Sequence, residues 1–229
     1  MRNGAIWALV ALALAGATLP ARAEPGSIEK SGMHHPSSLG GLQLANWTVA
    51  TGDNGDMPFI VIDKVAAEVL VFDAQGLLQG TTPALLGIAH GDDATPGVGD
   101  RELNEIRPAE KTTPAGRVLA RIGPAKGGKT VLWVDFADSV ALHAVVTSNK
   151  AERRLARLKS PTPEDNRITF GCINVPAAFF KGLVHPLFAD KGGVVYILPE
   201  KRELAELFPA FYMFMPRPPQ SPLRPVEAP

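Results

Sequence analysis

The sequence predicts a mainly β fold with a few short helices. Its 229 residues include 22 glycines and 21 prolines, which indicate many turns. Short runs rich in β-branched and aromatic residues, such as residues 59–63, are typical of strands. The 23 basic and 23 acidic side chains cancel, so the charge balance indicates neither nucleic-acid binding nor electrostatic attachment to a membrane.

The first residues are typical of an export signal. Arg2 precedes a run of 13 mostly apolar residues, 5–17, and Ala21 and Ala23 are small residues at the positions that a signal peptidase reads. We therefore expect a signal peptide over residues 1–23, a mature chain that begins at Glu24, and a location in the periplasm or cell envelope. The run is too short to span a bilayer, so we expect no membrane span after cleavage, with a retained anchor as the alternative.

The first strong strand patterns follow a weakly patterned region. Residues 24–57 carry Gly, Ser, Asn and Asp around short apolar pieces, and we interpret them as an N-terminal arm or an edge strand. Residues 59–63 and 68–73 predict two strands. A turn at 74–76 and a return strand at 77–80 then complete a hairpin or meander.

The middle of the chain predicts a long loop and further strands. Residues 91–114 are polar, and the spacing of their carboxylates does not match an EF-hand loop, so a solvated loop is favoured over a cation site. Strands are predicted at 118–122, 131–136 and 140–146.

Cys172 is the one cysteine of the chain. In an exported protein, an unpaired cysteine indicates an intermolecular bridge, an inert buried thiol or a nucleophile. The neighbouring Gly171 has no Cβ, so a substrate carbonyl can approach the sulfur and backbone N–H groups can face an oxyanion. On these residues alone, a buried packing thiol is the more common alternative.

Five histidines could take the proton of this thiol. His143 is the best placed, because it lies in an apolar, β-branched run that predicts a buried strand. A satisfied core histidine is the alternative there. His90 closes another apolar run and could reach the rim of an active site. The remaining three lie in polar or turn-like segments, at His34, His35 and His185.

Residues 58–199 resemble the catalytic domain of the L,D-transpeptidase family (YkuD-like), the cysteine enzymes that cross-link bacterial peptidoglycan. Four elements occur in the family's order: the strand pair within 60–72, the segment Thr113-Pro114-Ala115-Gly116, His143, and the segment Thr169-Phe170-Gly171-Cys172-Ile173-Asn174. The resemblance implies an L,D-transpeptidase-like β-sandwich or barrel of mixed strands with a few short helices.

The resemblance also implies acyl transfer that needs no cofactor and no metal. Cys172, deprotonated by His143, would attack a carbonyl of a peptidoglycan stem peptide, release D-alanine and form a thioester. The acyl acceptor would be an amine of a second stem peptide or of a wall-anchored protein. Two alternatives are a peptidoglycan amidase or carboxypeptidase that uses the same thiol, and a catalytically weak wall-binding homologue. Expected oxyanion or supporting residues are Gly171, Ala144, Thr169 and Asn174, and expected substrate contacts are Phe170, Arg167 and Arg154.

Two features depart from the family pattern. Phe170 stands where the family usually has histidine, which makes the pocket drier. His143 and Cys172 are 29 positions apart, which indicates an insertion. Residues 150–160 are good helix formers ended by prolines, so they predict an inserted helix with Leu155 and Leu158 facing the domain. A solvated helix is favoured over a lid whose arginines meet substrate carboxylates.

The last part of the chain predicts three pieces. We expect a helix over residues 200–207 and an aromatic segment over residues 208–215 that packs on the domain, with docking on a partner as the alternative. We expect a proline-rich tail, disordered or polyproline-like, over residues 216–229.

Overall fold

The computed structural model describes residues 39–215. The predicted signal peptide, the proline-rich tail, His34 and His35 lie outside this range. The strands within it are β1 (Phe59–Asp63), β2 (Glu68–Phe72), β3 (Leu78–Pro83), β4 (Leu86–Gly87), β5 (Gly116–Ala125), β6 (Lys129–Asp135), β7 (Val140–Ala144), β8 (Arg167–Thr169), β9 (Ile173–Val175) and β10 (Gly193–Ile197).

The helices are short. The α-helices are α1 (Leu39–Thr51), α2 (Arg154–Arg157), α3 (Ala177–Phe179), α4 (His185–Phe188), α5 (Leu204–Leu207) and α6 (Pro209–Phe214). A π-helical turn, Phe180–Val184, joins α3 to α4. Single 3-10 turns occur at Val98–Asp100, Leu103–Glu105, Pro108–Glu110, Lys150–Glu152 and Pro163–Asn166.

Eight of these strands form one mixed sheet, in the order β3-β2-β1-β10-β5-β6-β7-β9. The pairs β1–β10 and β7–β9 are parallel, and the other neighbours in this sheet are antiparallel. The strands β4 and β8 form a separate parallel pair. The prediction of a mainly β fold of mixed strands with a few short helices is confirmed.

The sheet buries side chains on both faces. Along β1, Ile60 and Ile62 belong to one apolar cluster, and Phe59 and Val61 belong to another, as the alternation of a strand requires. The first cluster packs against the helical segment 177–188. The second packs against α1 and α6. Burial on both faces explains why this strand reads as a continuous apolar run.

The first described segment corrects one interpretation. Residues 42–49, interpreted as part of an arm or an edge strand, lie in the helix α1. Its buried side chains include Leu44, Ala45, Trp47 and Thr48, and this spacing places them on one helical face that packs on the sheet. The short length of the apolar piece hid its helical period.

The insertion also differs from its prediction. Residues 150–160 form a 3-10 turn and the four-residue helix α2 instead of one helix, because Arg153 between them adopts a left-handed backbone with φ 48°. Leu158 is buried as expected. Leu155 is 55% exposed and does not face the domain.

Two predictions near the C-terminus are corrected in part. The helix predicted at 200–207 is limited to α5, and His185, assigned to a turn, begins α4 with Pro186 at its first positions. In the aromatic segment, Phe208 and Phe211 are buried against the second cluster, whereas residues 212–214 are exposed. Among residues 39–215, no helix has both the length and the apolar character needed to cross a membrane.

Candidate active site

The candidate nucleophile lies beside the parallel pair β7–β9. Cys172 immediately precedes β9, and its thiol donates a weak hydrogen bond to the carbonyl of Ser139, before β7, at 3.6 Å. His143 and Asn174 are register partners across this pair. The thiol and the imidazole therefore lie along the same two strands. In the part of the chain that the structure describes, no hydrogen bond joins them directly.

Gly171 fixes the approach of the chain to Cys172. Its φ of 126° is a conformation that residues with a Cβ rarely adopt, and a Cβ there would lie 2.7 Å from the carbonyl oxygen of Thr112. The Gly171 carbonyl accepts a hydrogen bond of 2.9 Å from Oγ1 of Thr113, and this oxygen in turn accepts one of 2.9 Å from the Gly87 N–H. Thr113 is fully buried. The Thr-Pro-x-Gly segment thus holds the loop of the nucleophile, a role that its sequence did not reveal.

Thr169 closes the same loop from the other side. Its hydroxyl donates to the Cys172 carbonyl at 2.6 Å and accepts from the Gly171 N–H at 3.2 Å. This geometry is compatible with the supporting role expected of Thr169. The Gly171 N–H thus has a partner within the loop, and the role of the backbone N–H groups around Gly171 and Cys172 in holding an oxyanion stays a prediction.

The hydrogen bonds of His143 define its tautomer. Its Nδ1 lies 2.8 Å from the Ala144 carbonyl, and a carbonyl only accepts, so Nδ1 carries the proton. Its Nε2 lies 3.1 Å from the side-chain nitrogen of Asn174, which donates to it. Ala144 thus stands where an orienting group for the base was expected. Asn174 donates a hydrogen bond to Nε2 of His143, the nitrogen that would accept the thiol proton.

Asn174 is connected to the insertion. Its Oδ1 accepts a hydrogen bond of 2.7 Å from Nη1 of Arg154, whose Nε donates to Glu152 at 2.5 Å. The Arg154 side chain is 13% exposed. The insertion therefore contributes a cation to the site, and Arg154 is not a solvated residue of an outer helix face. No local pattern indicates its contact with Asn174, 20 positions away.

Both reactive groups are neutral at rest. Burial lowers the pKa of His143, and the positive charges of Lys129 and Arg154 lower this pKa further, against the Ala144 hydrogen bond, which raises it. Burial raises the pKa of the Cys172 thiol above its ordinary value, although the charge of Arg154 opposes this. Because the pKa of His143 is lowered and the pKa of Cys172 is raised, the imidazole and the thiol are both neutral near pH 7.

Phe170 carries a cation on its face. The ammonium of Lys111 lies 3.6 Å from the centre of the Phe170 ring, a cation–π contact. The aromatic side chain was expected to make the pocket drier. It also holds a positive charge next to the nucleophile loop, a contact that no local pattern indicates because Lys111 is distant along the chain.

A cavity of about 480 Å³ lies next to His143. This volume is in the range of small-molecule sites. Apolar side chains contribute to its walls, together with two lysines, His143 and His185. The lining residues are Lys129, Thr130, Val131, His143, Ala144, Val145, Val146, Phe180, Lys181 and His185. Because this lining contains cations and no carboxylate, the cavity suits a ligand that carries both apolar and anionic groups.

Arg167 does not lie in the site as expected. It is buried, and its Nη2 donates to the backbone carbonyl of Lys64 at 2.8 Å and to Glu200 at 2.5 Å. The fully buried Lys64 ammonium bonds Asp92 at 2.6 Å and the Thr113 carbonyl at 3.0 Å. The assignment of Arg167 as a substrate contact is therefore wrong, because its guanidinium is used by a buried ion-pair cluster.

The same cluster corrects the interpretation of the 91–114 loop. Asp92 is buried, and it accepts hydrogen bonds from the N–H groups of residues 200–202. His90 bridges Glu164 and Glu200 with its two ring nitrogens. Within residues 39–215, no group of three or more His, Cys, Asp or Glu side chains is arranged to hold a metal ion.

Comparisons with known proteins give a likeness to solved structures. No protein-family model and no curated protein sequence matches the chain. The catalytic domain of the Enterococcus faecium L,D-transpeptidase aligns with a TM-score of 0.36 and 16% identity over 62% of this chain and 97% of that domain. The L,D-transpeptidase of Xylanimonas cellulosilytica aligns with a TM-score of 0.38 and 17% identity, over 62% of this chain and 60% of that one.

A third similar structure is the helical cell shape determining protein Pgp2 from Campylobacter jejuni. It aligns with a TM-score of 0.41 and 12% identity over 70% of this chain and 57% of that protein. The chain thus spans less than two thirds of two of these three structures. At these identities and scores, the likeness carries no conclusion about activity.

Proposed function

We propose that this protein is an exported cysteine acyltransferase that acts on peptidoglycan stem peptides, an L,D-transpeptidase. The observation that carries the proposal is the hydrogen bonding of His143. Its proton lies on Nδ1, against the Ala144 carbonyl, so Nε2 carries the lone pair that a general base needs, and in the resting site this lone pair accepts a hydrogen bond from Asn174. This imidazole and the thiol of Cys172 lie along the same strand pair.

The first half of the reaction forms a thioester. Nε2 of His143 takes the proton of the Cys172 thiol while the sulfur attacks the carbonyl carbon of the scissile amide. The tetrahedral intermediate then breaks its C–N bond, and the departing D-alanine amine receives the proton from His143. The bond formed is C–S and the bond broken is C–N. The thiol proton leaves with the D-alanine amine, and the enzyme remains as the acyl thioester.

The second half transfers the acyl group to an amine. The acceptor attacks the thioester carbonyl and gives a proton to His143, a C–N bond forms, and the C–S bond breaks. The proton then returns to the sulfur. The cavity beside His143 is adjacent to the base and is large enough for an acceptor chain. An amine of a second stem peptide and a lysine of a wall-anchored protein are both candidate acceptors.

The experiment is incubation of the purified mature protein with a defined tetrapeptide stem and an amine acceptor, followed by mass spectrometry. We expect release of D-alanine and a new amide. Cys172→Ala and His143→Ala should each abolish both products, and the double variant should be little worse than either single variant. His90→Ala is the matched histidine control, because His90 contacts Glu164 and Glu200 instead of the thiol loop.

Other outcomes assign other functions. D-Alanine release without a new amide, even with excess acceptor, would indicate a carboxypeptidase, and cleavage elsewhere in the stem would indicate an amidase. Binding to purified wall material without any turnover would indicate a wall-binding homologue. Loss of activity in His90→Ala with activity retained in His143→Ala would move the role of the base to His90.

Export is a separate part of the proposal. The mature protein should begin at Glu24, because Ala21 and Ala23 flank the expected cleavage position. N-terminal sequencing of protein extracted from the cell envelope checks this. Recovery of residues 5–17 in that protein would contradict cleavage.

A further inference from the structure

The side chains around His143 form a hydrogen-bond chain in which the direction of every bond is fixed. Arg154 has only donors, so the Asn174 atom that faces it must be the acceptor Oδ1. The other end of the same amide, Nδ2, then faces His143 and can only donate to Nε2. At the far end, the Ala144 carbonyl can only accept from Nδ1.

The opposite arrangement of the Asn174 amide would reverse the imidazole. If Oδ1 faced His143, Nε2 would have to carry a proton to make the contact, and Nδ2 would face the guanidinium, donor against donor. The hydrogen bond of 2.7 Å from Arg154 to Oδ1 of Asn174 excludes that arrangement, because a rotated amide would place its NH2 group against the guanidinium. Arg154 is itself held by Glu152 at 2.5 Å.

We infer that Arg154 is a positioning residue, which fixes the orientation of the Asn174 amide and thereby keeps the proton of His143 on Nδ1 and the lone pair on Nε2. Arg154 does not touch the thiol in this arrangement. It acts through Asn174. This role differs from the direct substrate contact that the sequence suggested.

The same hydrogen bonds also destabilise the protonated form of His143. When Nε2 takes a proton, it loses the hydrogen bond from Asn174 and meets a donor group instead. The Arg154 charge disfavours the imidazolium as well. His143 therefore passes its proton on to the leaving amine readily, which a base in a relay requires.

The inference concerns the base of the proposed acyltransferase and so rests on that function for its catalytic meaning. Its test does not depend on turnover. Imidazole ¹⁵N chemical shifts of His143 report the tautomer directly, in protein without substrate. A second readout is the pH dependence of Cys172 alkylation, because the charge of Arg154 lowers the pKa of the thiol.

Three variants and one control make the test specific. Arg154→Met keeps the length of the side chain but removes its donors and charge. The Nε2–H tautomer should then become detectable beside the Nδ1–H form that the Ala144 carbonyl still favours, and the His143 pKa should rise. Arg154→Lys restores a cation that only donates and should restore the single Nδ1–H tautomer. Asn174→Asp places an acceptor at Nε2 while the Ala144 carbonyl still faces Nδ1, so it should raise the His143 pKa and populate the imidazolium. Arg157→Met is the control, because Arg157 bonds the carbonyls of Glu152 and Asp165 and does not contact Asn174.

If stem peptides are turned over, Arg154→Met should lower kcat by about tenfold to a hundredfold with little change in KM, because the base is misplaced while the substrate still binds. A single Nδ1–H tautomer with an unchanged pKa in folded Arg154→Met would overturn the inference. Should Arg154→Met fail to fold, an unchanged His143 pKa and tautomer in folded Asn174→Asp would overturn it equally. Failure of the proposed function would appear differently, as correct tautomer shifts without turnover of any stem peptide.

Discussion

Thr113 and Gly171, 58 positions apart, are joined by a buried hydrogen bond of 2.9 Å from the threonine hydroxyl to the glycine carbonyl. The same hydroxyl accepts from the Gly87 N–H, so one side chain joins three segments around Cys172. The Thr113 carbonyl also accepts from Lys64. The position of the thiol therefore depends on contacts well beyond its own strand.

Replacing Thr113 with Val should loosen the nucleophile loop. The change keeps the shape but leaves the Gly87 N–H and the Gly171 carbonyl without this partner, at a cost of about 1–3 kcal/mol in the free energy of unfolding. We also expect faster alkylation of Cys172, because the loop opens more often. Thr113→Ser should preserve both bonds. Thr112→Val is the control, and an equal loss of stability there would refute the role of Thr113.

Replacing Gly171 with Ala should lower the free energy of unfolding more than replacing Gly116 with Ala, because an added Cβ at Gly116 would have no neighbouring atom within 4 Å. Gly171 and Gly116 both have positive φ, at 126° and 144°, but only Gly171 would bring its Cβ to 2.7 Å from a carbonyl oxygen. Gly116→Ala should cost backbone strain of about 1–3 kcal/mol, and Gly171→Ala should cost more and slow the thiol reaction. Chemical denaturation of both variants measures the difference. Equal losses would show that the close approach to Thr112 is unimportant.

The pH dependence of activity should be broad. The neutral pair requires His143 without its second proton and Cys172 with its proton. Because the pKa of His143 is below its ordinary value of 6.5, activity should fall on the acid side only below pH 6.5. Because the pKa of Cys172 is above its ordinary value of 9.0, the basic limb should lie above pH 9. A rate profile measured as kcat/KM checks both limbs, and an acid limb near pH 7.5 would contradict the assignment.

Replacing Lys64 should lower the free energy of unfolding more than replacing an exposed lysine. Lys64→Met leaves Asp92 buried without its partner, at a cost of about 3–5 kcal/mol. Lys201→Met is the control. The pKa of Asp92 is lowered from 3.8 to about 2, so its contribution to stability is present above pH 4 and is lost as the pH falls toward 2. Acid unfolding of the wild type should show that loss, and Lys64→Met should show less of it.

A carbapenem should form an adduct with Cys172 and with no other residue, because the chain has one thiol. The strained carbonyl of such a compound is a suitable target for a thiol. If the amount of free thiolate limits this reaction instead of proton transfer to His143, the rate should rise with pH until the thiol is ionised, and Phe170→His should quicken it at pH 7 because a more polar pocket leaves more thiolate. Intact-protein mass spectrometry measures both effects. A folded protein without an adduct at any pH would favour the wall-binding alternative.

The sequence predicted the parts of the fold that depend on local patterns. Strand β7 with His143 and the turn before Cys172 were recognisable from an apolar run and a glycine, because both signals lie within a few residues. The contact of Arg154 with Asn174 and the contact of Lys64 with Asp92, 28 positions apart, were not. Both depend on how distant segments meet, and a charged residue in a polar loop reads the same whether it is solvated or buried.

The partial withdrawal of Cys172 from solvent has a consequence for the lifetime of the protein. Oxidation and mixed-disulfide formation both proceed through the thiolate, so a thiol with a raised pKa is attacked slowly. In the oxidising compartment that we propose, a lone cysteine has no intramolecular partner to protect it. The neutral thiol resists chemical damage until a substrate and His143 together draw off its proton.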